Sequence, residues 1–377
     1  VESVFFDAGE AINFDKTFDV VILVKACTRF DCEQAWAAHH QGIPVVFDLC
    51  DNIFINPTDF PELSPDIFLN KEEFLKHFRA ILPCLKAITT SSEALAQKVR
   101  KETNNQVPVC VIPDSIETTD FLETIQGFNF SRKLNWLFGN GLVWFLGRGM
   151  PQLFKSLCKK IVVSQIKLFR KIRAESLVLP KRSSHSSRYR ASAHQKRKDL
   201  PQVLWFGNSG LPGLFGLSDL LLIKEPLERA FKKKPFQLKI VSDNGRASQI
   251  IQDQIAVPSE FMGWSNASAI REIKASALCL VPNSCNEFTI SKSANRSVLS
   301  FYWGTPVVAT RTEALAPFEG VIPFDQWEES IVKWLSDPPE RARVVRMGQA
   351  VIGNHFSGQQ IVSKWLRIIE QIRAATN

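Results

Sequence analysis

No run of 18 or more uninterrupted apolar residues occurs in the chain, which argues against a membrane-spanning helix on length alone. The nearest approach, "LNWLFGNGLVWFLGRGMPQLF" from residue 134, is broken by Asn135, Asn140, Arg148 and four glycines. CxxC pairs are absent. No histidine stands at metal-ligand spacing from the eight scattered cysteines (Cys27, Cys32, Cys50, Cys84, Cys110, Cys158, Cys279, Cys285), so no metal is expected. Those cysteines lie mostly inside apolar runs and read as small buried hydrophobes in a reducing compartment, which points to the cytoplasm. No Ser-His-Asp or Cys-His arrangement stands out, and no Asp-x-Asp motif falls at a plausible strand end. An initial methionine is missing too: the chain starts at Val1 and runs at once into the strand-like "VESVFFDA", which leaves room for a targeting segment ahead of it.

The chain does have an excess of positive charge, and it is local. The formal net charge is +8, but residues 131 to 199 hold 17 Lys and Arg against two acids, leaving 29 bases and 36 acids elsewhere. One segment carries the whole basic surplus, and the remainder is net acidic. With 377 residues, two domains plus connecting matter are expected.

Apolar runs of strand length alternate with helix-like stretches in two blocks. In the first, "FDVVILVKA" (18 to 26) and "IPVVFDLCDN" (43 to 52) flank the helical "CEQAWAAHHQG". A long helix starts near Lys71, and Thr90 and Glu93 have capping-box spacing ahead of another helix. His39 and His40 ride on a helix and read as structural or solvent-facing. From about residue 202 the alternation resumes with "VLWFG", a glycine-rich turn "NSGLPGLFG", the helix "LSDLLLIKEPLERAFKK" and the strand "FQLKIVSD". "SEFMGWS", "ALCLVPN" and "TPVVAT" follow, with helices between. Continuous apolar strands separated by helices imply parallel sheets covered on both faces. The expected class is α/β: two Rossmann-like, doubly wound domains facing a cleft, with a basic, partly helical insertion between them. The expected boundaries are 1–118 for the acceptor side, 119–201 for the insertion and 202–357 for the donor side. A C-terminal helix (358–377) would cross back to the first domain.

The order "VPVCVIPDSIE", "LKIVSDN", "FMGWSNASAIREIKASALCLVPN", "GTPVVATRTEAL", "HFSGQQIVSKWLRII" resembles the retaining glycosyltransferases of the GT-B fold, in particular the large family-four group. The likeness covers most of 18 to 118 and of 202 to 374. It implies transfer of a sugar from a nucleotide-sugar donor to a glycan or lipid-linked acceptor, with retention and without a metal. Three departures matter. The usual amino-terminal strand and glycine-rich loop are not recognisable, and the interdomain link is about 80 residues long. In the family, two glutamates often stand eight positions apart, the second five residues before the glycine of "GTP"; here that second position is Leu299.

Without a metal, negative charge on a departing diphosphate must meet fixed cations and backbone donors. Lys292 and Arg296 are the candidates, beside a helix that starts near Ser293 with Ser291 as its cap. The same pair reads also as a solvated surface turn. Glu287 is the candidate for the first family glutamate, and Asn295, eight positions on, offers a neutral hydrogen-bonding substitute for the second. The turn Gly207, Asn208, Ser209, Gly210 allows close backbone approach to phosphate or sugar, or serves merely to turn the chain. Ser293, Gly304 and Thr305 complete the expected donor-side set. On the acceptor side stand Lys25, Asp48, Asp51 and Asn52, which either orient a hydroxyl or form ordinary strand-end turns.

Within the insertion, residues 152 to 175 place apolar side chains at near-helical spacing among many lysines and arginines, with Trp136, Phe138, Trp144 and Phe145 upstream. The stretch 134–175 reads as an interfacial segment for an anionic membrane surface, or as a helical hairpin packed on the protein itself. It carries no module for specific nucleic-acid reading. The "LPKRSSHSSRYRASAHQKRKDL" that follows has too little apolar content to pack. The functional expectation is a glycosyltransferase, hexosyltransferase-like, cytoplasmic and peripheral to a membrane. The alternative is a catalytically silent scaffold of the same fold that binds a nucleotide sugar or a glycan.

Overall fold

The computed structural model describes residues 12, 18–24, 28–55, 71–116 and 200–375. Backbone contacts divide the chain into two units, Val1–Ile116 with Leu200–Asn377, and Glu117–Asp199. The insertion lies outside the described residues, and with it the amphipathic segment and the serine-rich stretch. Lys25 also lies outside them.

The amino-terminal block forms a parallel sheet of β1 (Val21–Val24), β2 (Val45–Leu49), β3 (Leu85–Thr90) and β4 (Val109–Val111), in that spatial order. The helices α1 (Arg29–His40), α2 (Lys71–Ile81) and α3 (Glu93–Glu102) connect them. Side chains alternate across a strand, and β2 shows what that does here. Val45, Phe47 and Leu49 enter a core with Ala35, Ala38, Phe78, Ile81 and Leu95. Val46 faces the other way, into a second core with Ala87 and Ile112. Both faces are covered, as a run without polar alternation requires. The cap of α3 is Ser92, whose Oγ accepts the Leu95 N–H at 3.3 Å. The expected Thr90–Glu93 capping box is therefore corrected: Thr90 is the last residue of β3, and its hydroxyl donates to the Ser92 carbonyl.

The second sheet is also parallel, with spatial order β11-β10-β5-β8-β9. Its strands are β5 (Gln202–Phe206), β8 (Gln237–Ser242), β9 (Ser259–Gly263), β10 (Leu278–Val281) and β11 (Val307–Ala309). Within the glycine-rich turn, β6 (Gly210–Leu211) and β7 (Phe215–Gly216) pair as a small antiparallel hairpin. The helices are α4 (Lys224–Lys233), α5 (Gly245–Gln254), α6 (Asn266–Ala275), α7 (Asn295–Tyr302), α8 (Trp327–Ser336) and α9 (Pro338–His355). The helix expected over "LSDLLLIKEPLERAFKK" divides into a 3-10 segment, Leu217–Ile223, and α4. The last helix, α10 (Gly358–Ala374), places Ile361, Ile368 and Ile372 in the core with Val46, Ala87 and Ile112 of the first sheet. The carboxy-terminal helix thus belongs by packing to the amino-terminal sheet.

Among the described residues, no helix is long and apolar enough to cross a membrane.

Candidate functional site

The strand order locates the site before any side chain is considered. After β5 the chain builds outward through β8 and β9, then returns to place β10 and β11 on the other side of β5. The connections from β5 and β10 therefore leave in opposite directions and open a crevice at the carboxyl ends of these two strands. The glycine turn follows β5, and the segment 282–294 follows β10.

The turn is shaped by backbone that only glycine tolerates. Gly210 has φ +66°, and a Cβ there would lie 2.2 Å from the Phe215 carbonyl oxygen; Gly216 has φ +97°, and its Cβ would meet the Ser209 carbonyl at 2.6 Å. Both positions need the left-handed region and the absence of a side chain. Asn208 Oδ1 accepts the Gly210 N–H at 2.7 Å, and Asp243, at the end of β8, accepts the Ser209 N–H at 2.7 Å. The hairpin is stitched to the segment after β10: Ser284 Oγ and Asn286 Nδ2 both donate to the Leu214 carbonyl at 2.6 Å. The Phe215 and Phe288 rings sit 4.7 Å apart.

Helix α7 starts at Asn295, with Ala294 as its cap position and no side chain capping it. The expected Ser291 cap is corrected here: Ser291 Oγ donates to the Glu287 carbonyl at 2.9 Å instead. An uncapped amino terminus leaves N–H donors and the positive end of the helix dipole available to an anion. A second observation points the same way. The Ser297 hydroxyl, in the first turn, is buried without a hydrogen-bond partner, and so is the indole N–H of Trp205 in β5. Buried polar groups ordinarily have partners.

Arg296 joins the two halves of the crevice. A Cβ on Gly207 would lie 3.6 Å from Arg296 Cδ, and the guanidinium sits 5.9 Å from the Trp205 ring centre. Burial lowers the pKa of Arg296, opposed by Cys279 and Asp219. Burial also pushes the Cys279 thiol up to about 12, so it is no anion near neutrality. Asp219 is 4% exposed. Burial raises its carboxyl to about 6, against the Gly216 N–H, the charge of Arg296 and the Ser284 hydroxyl.

The segment after β10 is tied to the carboxyl edge of the first sheet. Lys292 pairs with Asp51, and Ser293 Oγ donates to Asp114. Ser92 Oγ donates to the Ser291 carbonyl at 2.7 Å, and Asn52 Nδ2 to the Glu287 carbonyl at 3.1 Å. Lys98 lies 3.7 Å from the Glu287 carboxylate. The Lys292 ammonium also sits 4.1 Å from the Phe288 ring centre. Asp48 accepts the Thr89 hydroxyl at 2.6 Å. Burial raises its pKa; the Thr89 bond works against that, and the charge of Asp114 adds to it.

The structure thus gathers Glu287, Lys292, Ser293, Asn295 and Arg296 with Gly207, Asn208, Ser209 and Gly210 on one side, and sets Asp48, Asp51 and Asn52 opposite. It does not bring Gly304 and Thr305 there, and these two expected donor contacts are corrected. Both precede β11, at the amino end of the strand, whereas the crevice opens at its carboxyl end. Gly304, with φ +92°, ends α7, and the wholly buried Thr305 donates its hydroxyl to the Ile273 carbonyl at 2.5 Å. Asp114, Asp219, Ser92 and Lys98 were not expected. Asp114 stands at a strand end in "VIPDS", the same signal that marks Asp48 and Asp51. The others have no local signal, since each acts on a partner distant in sequence.

No family model matches the chain, and no curated protein matches it. Solved structures do match, over nearly its whole length. HepE of Anabaena in complex with UDP aligns with TM-score 0.53 and 12% identity, covering 94% of this chain and 79% of that one. The N-terminal domain of Candida albicans trehalose-6-phosphate phosphatase aligns with TM-score 0.51 and 10% identity, over 94% and 70%. A glycosyltransferase from Rickettsia africae ESF-5 aligns with TM-score 0.50 and 13% identity, over 94% and 77%. At such identities the likeness is one of fold, and the chain has the GT-B fold.

Proposed function

We propose that the protein is a glycosyltransferase that moves a sugar from a nucleotide-sugar donor to the hydroxyl of a glycan or lipid-linked acceptor. The observation that carries this reading is the uncapped start of α7, whose first turn holds the buried, unpartnered Ser297 hydroxyl and Arg296, with Arg296 beside Gly207 of the glycine turn. Breaking the glycosidic bond loads negative charge on the departing diphosphate. Arg296 and the helix N–H groups would meet that charge with donors already in place, and Lys292 would add its ammonium, which favours the transition state over the bound donor. In this scheme the cations do the work of a metal, and the leaving phosphate takes the proton of the incoming hydroxyl, with retention of configuration. Asp48, Asp51 and Asn52 face the same crevice and would orient the acceptor.

A specific observation favours a second reading. Leu299 packs against the core where the family often has a carboxylate, so a silent nucleotide-sugar-binding scaffold is the competing function. One experiment tests both: titration with UDP and assay of UDP release from UDP-sugars, on wild type and on Lys292→Ala and Arg296→Ala. The proposed enzyme releases UDP, and each substitution lowers that rate by about 10²-fold, as loss of one transition-state donor does. Binding without turnover supports the scaffold. Unchanged affinity and unchanged rate in both variants overturn the assignment of the site.

A further inference from the structure

We propose that Asp51 is the resident anion of the donor's phosphate seat, an internal competitor that the diphosphate must displace from Lys292. The inference rests on the reading above, in which Lys292 receives the diphosphate.

The geometry is a cation with two claims on it. Lys292 projects from the segment between β10 and α7, three residues before the uncapped helix start at Asn295. Its ammonium lies 4.1 Å from the Phe288 ring centre and 5.9 Å from that of Phe215. Aromatic faces attract a cation but do not neutralise it, and a half-buried ammonium with two rings beside it still needs an anion. In this structure the anion comes from the other sheet: Asp51, just beyond the carboxyl end of β2, forms the ion pair. The side chains of the pair are 38% and 23% exposed, so water and other anions reach it, and such a pair holds weakly enough to exchange.

The backbone around the pair is anchored independently of it. Ser92 holds the Ser291 carbonyl and Asn52 holds that of Glu287. Lys292 can therefore swing its flexible four-carbon stem from Asp51 towards the helix start while the segment stays in place. A diphosphate there competes for the ammonium with more charge than one carboxylate and with the α7 N–H groups in support. Asp51 thus sets the threshold for donor capture.

The test is a double-mutant cycle. UDP, and inorganic pyrophosphate as a probe without a base, are titrated calorimetrically into wild type, Asp51→Asn, Lys292→Ala and the double variant at one ionic strength. Asp51→Asn is expected to bind both probes about two- to fivefold more tightly, the range of a partly exposed ion pair. Lys292→Ala is expected to bind them more weakly, and the double variant to match Lys292→Ala. Asp51→Asn with unchanged or weaker binding, alongside a weakened Lys292→Ala, overturns the competition and leaves the phosphate-site reading standing. Wild-type affinity in Lys292→Ala overturns that reading, and the competition with it. If thermal melting shows Asp51→Asn to be unfolded, Asp51→Ser takes its place under the same criteria.

Discussion

Ser209 and Asp243 join the ends of two neighbouring strands: the backbone N–H of the glycine turn after β5 is held at 2.7 Å by the carboxylate that closes β8. The bond positions the turn without burying it. Burial pushes the Asp243 carboxyl up, but hydrogen bonds from the Ser209 N–H and hydroxyl, its own N–H and the Ser242 hydroxyl together outweigh this, and its pKa lies below the usual value. A carboxylate with a depressed folded pKa stabilises the fold above its unfolded pKa and stops doing so as pH falls through the folded one. Asp243→Ala is expected to lower stability by about 1 kcal/mol near neutrality and to weaken UDP binding. The gap in melting temperature from wild type should hold above about pH 4 and narrow only as pH falls further, towards the lowered folded pKa, as melting curves between pH 2 and 7 would show.

Asp219 behaves in the opposite sense. Its folded pKa is raised to about 6 from 3.8, so the fold favours the protonated form. The stability it contributes is fully present below about pH 3.8 and is lost as pH rises through 6. Asp219→Asn keeps an acceptor for the Gly216 N–H but cannot titrate. Its melting temperature relative to wild type is expected to rise from pH 4 to 6.5, and a constant difference across that window would contradict the assignment.

Gly348 of α9 has no room for a methyl group. A Cβ there would lie 2.2 Å from Cδ1 of the Phe301 ring, which is wholly buried. Gly348→Ala improves helix propensity yet must displace that ring. It is expected to destabilise by about 2–3 kcal/mol, the upper part of the overpacking range, measured by denaturant unfolding.

Thr305 separates structure from site. Thr305→Val removes one of two hydrogen bonds to the Ile273 carbonyl, which keeps the Ser276 N–H at 3.1 Å, at a cost of about 0.5–1.5 kcal/mol. UDP affinity should stay at the wild-type value. A loss of affinity in a folded Thr305→Val protein would return this residue to the donor site.

The fold was legible because long apolar runs such as "VVFDL" and "VLWF" leave few arrangements other than parallel strands covered on both faces. Strand order was not, because nothing local distinguishes β10 beside β5 from β10 beside β9. Local chemistry also misplaced two boundaries by a residue or two. Thr90 and Ser92 both make acceptable caps, and the strand register chose Ser92. The start of α7 fell at Asn295 because Ser291 and Ser293 turn to Glu287 and Asp114. In the site, the positions of Lys292, Arg296 and the glycine turn were readable from their place between strand ends and helices. The pairing of Lys292 with Asp51 was not, since the two residues are brought together only when both sheets have formed. "GTP" misled for a related reason: the motif marks the end of a helix and the start of a strand, and only topology shows that this end faces away from the crevice.

The packing of α10 on the first sheet bears on how the protein is made. Val46, Ala87 and Ile112 leave the ribosome well before the Ile361, Ile368 and Ile372 that cover them, which emerge only after the whole second sheet. Until then one apolar face of a parallel sheet remains wet, in a topology of high contact order that folds slowly and is prone to aggregate. Loss of α10 would therefore uncover the face of the first sheet that carries Val46, Ala87 and Ile112.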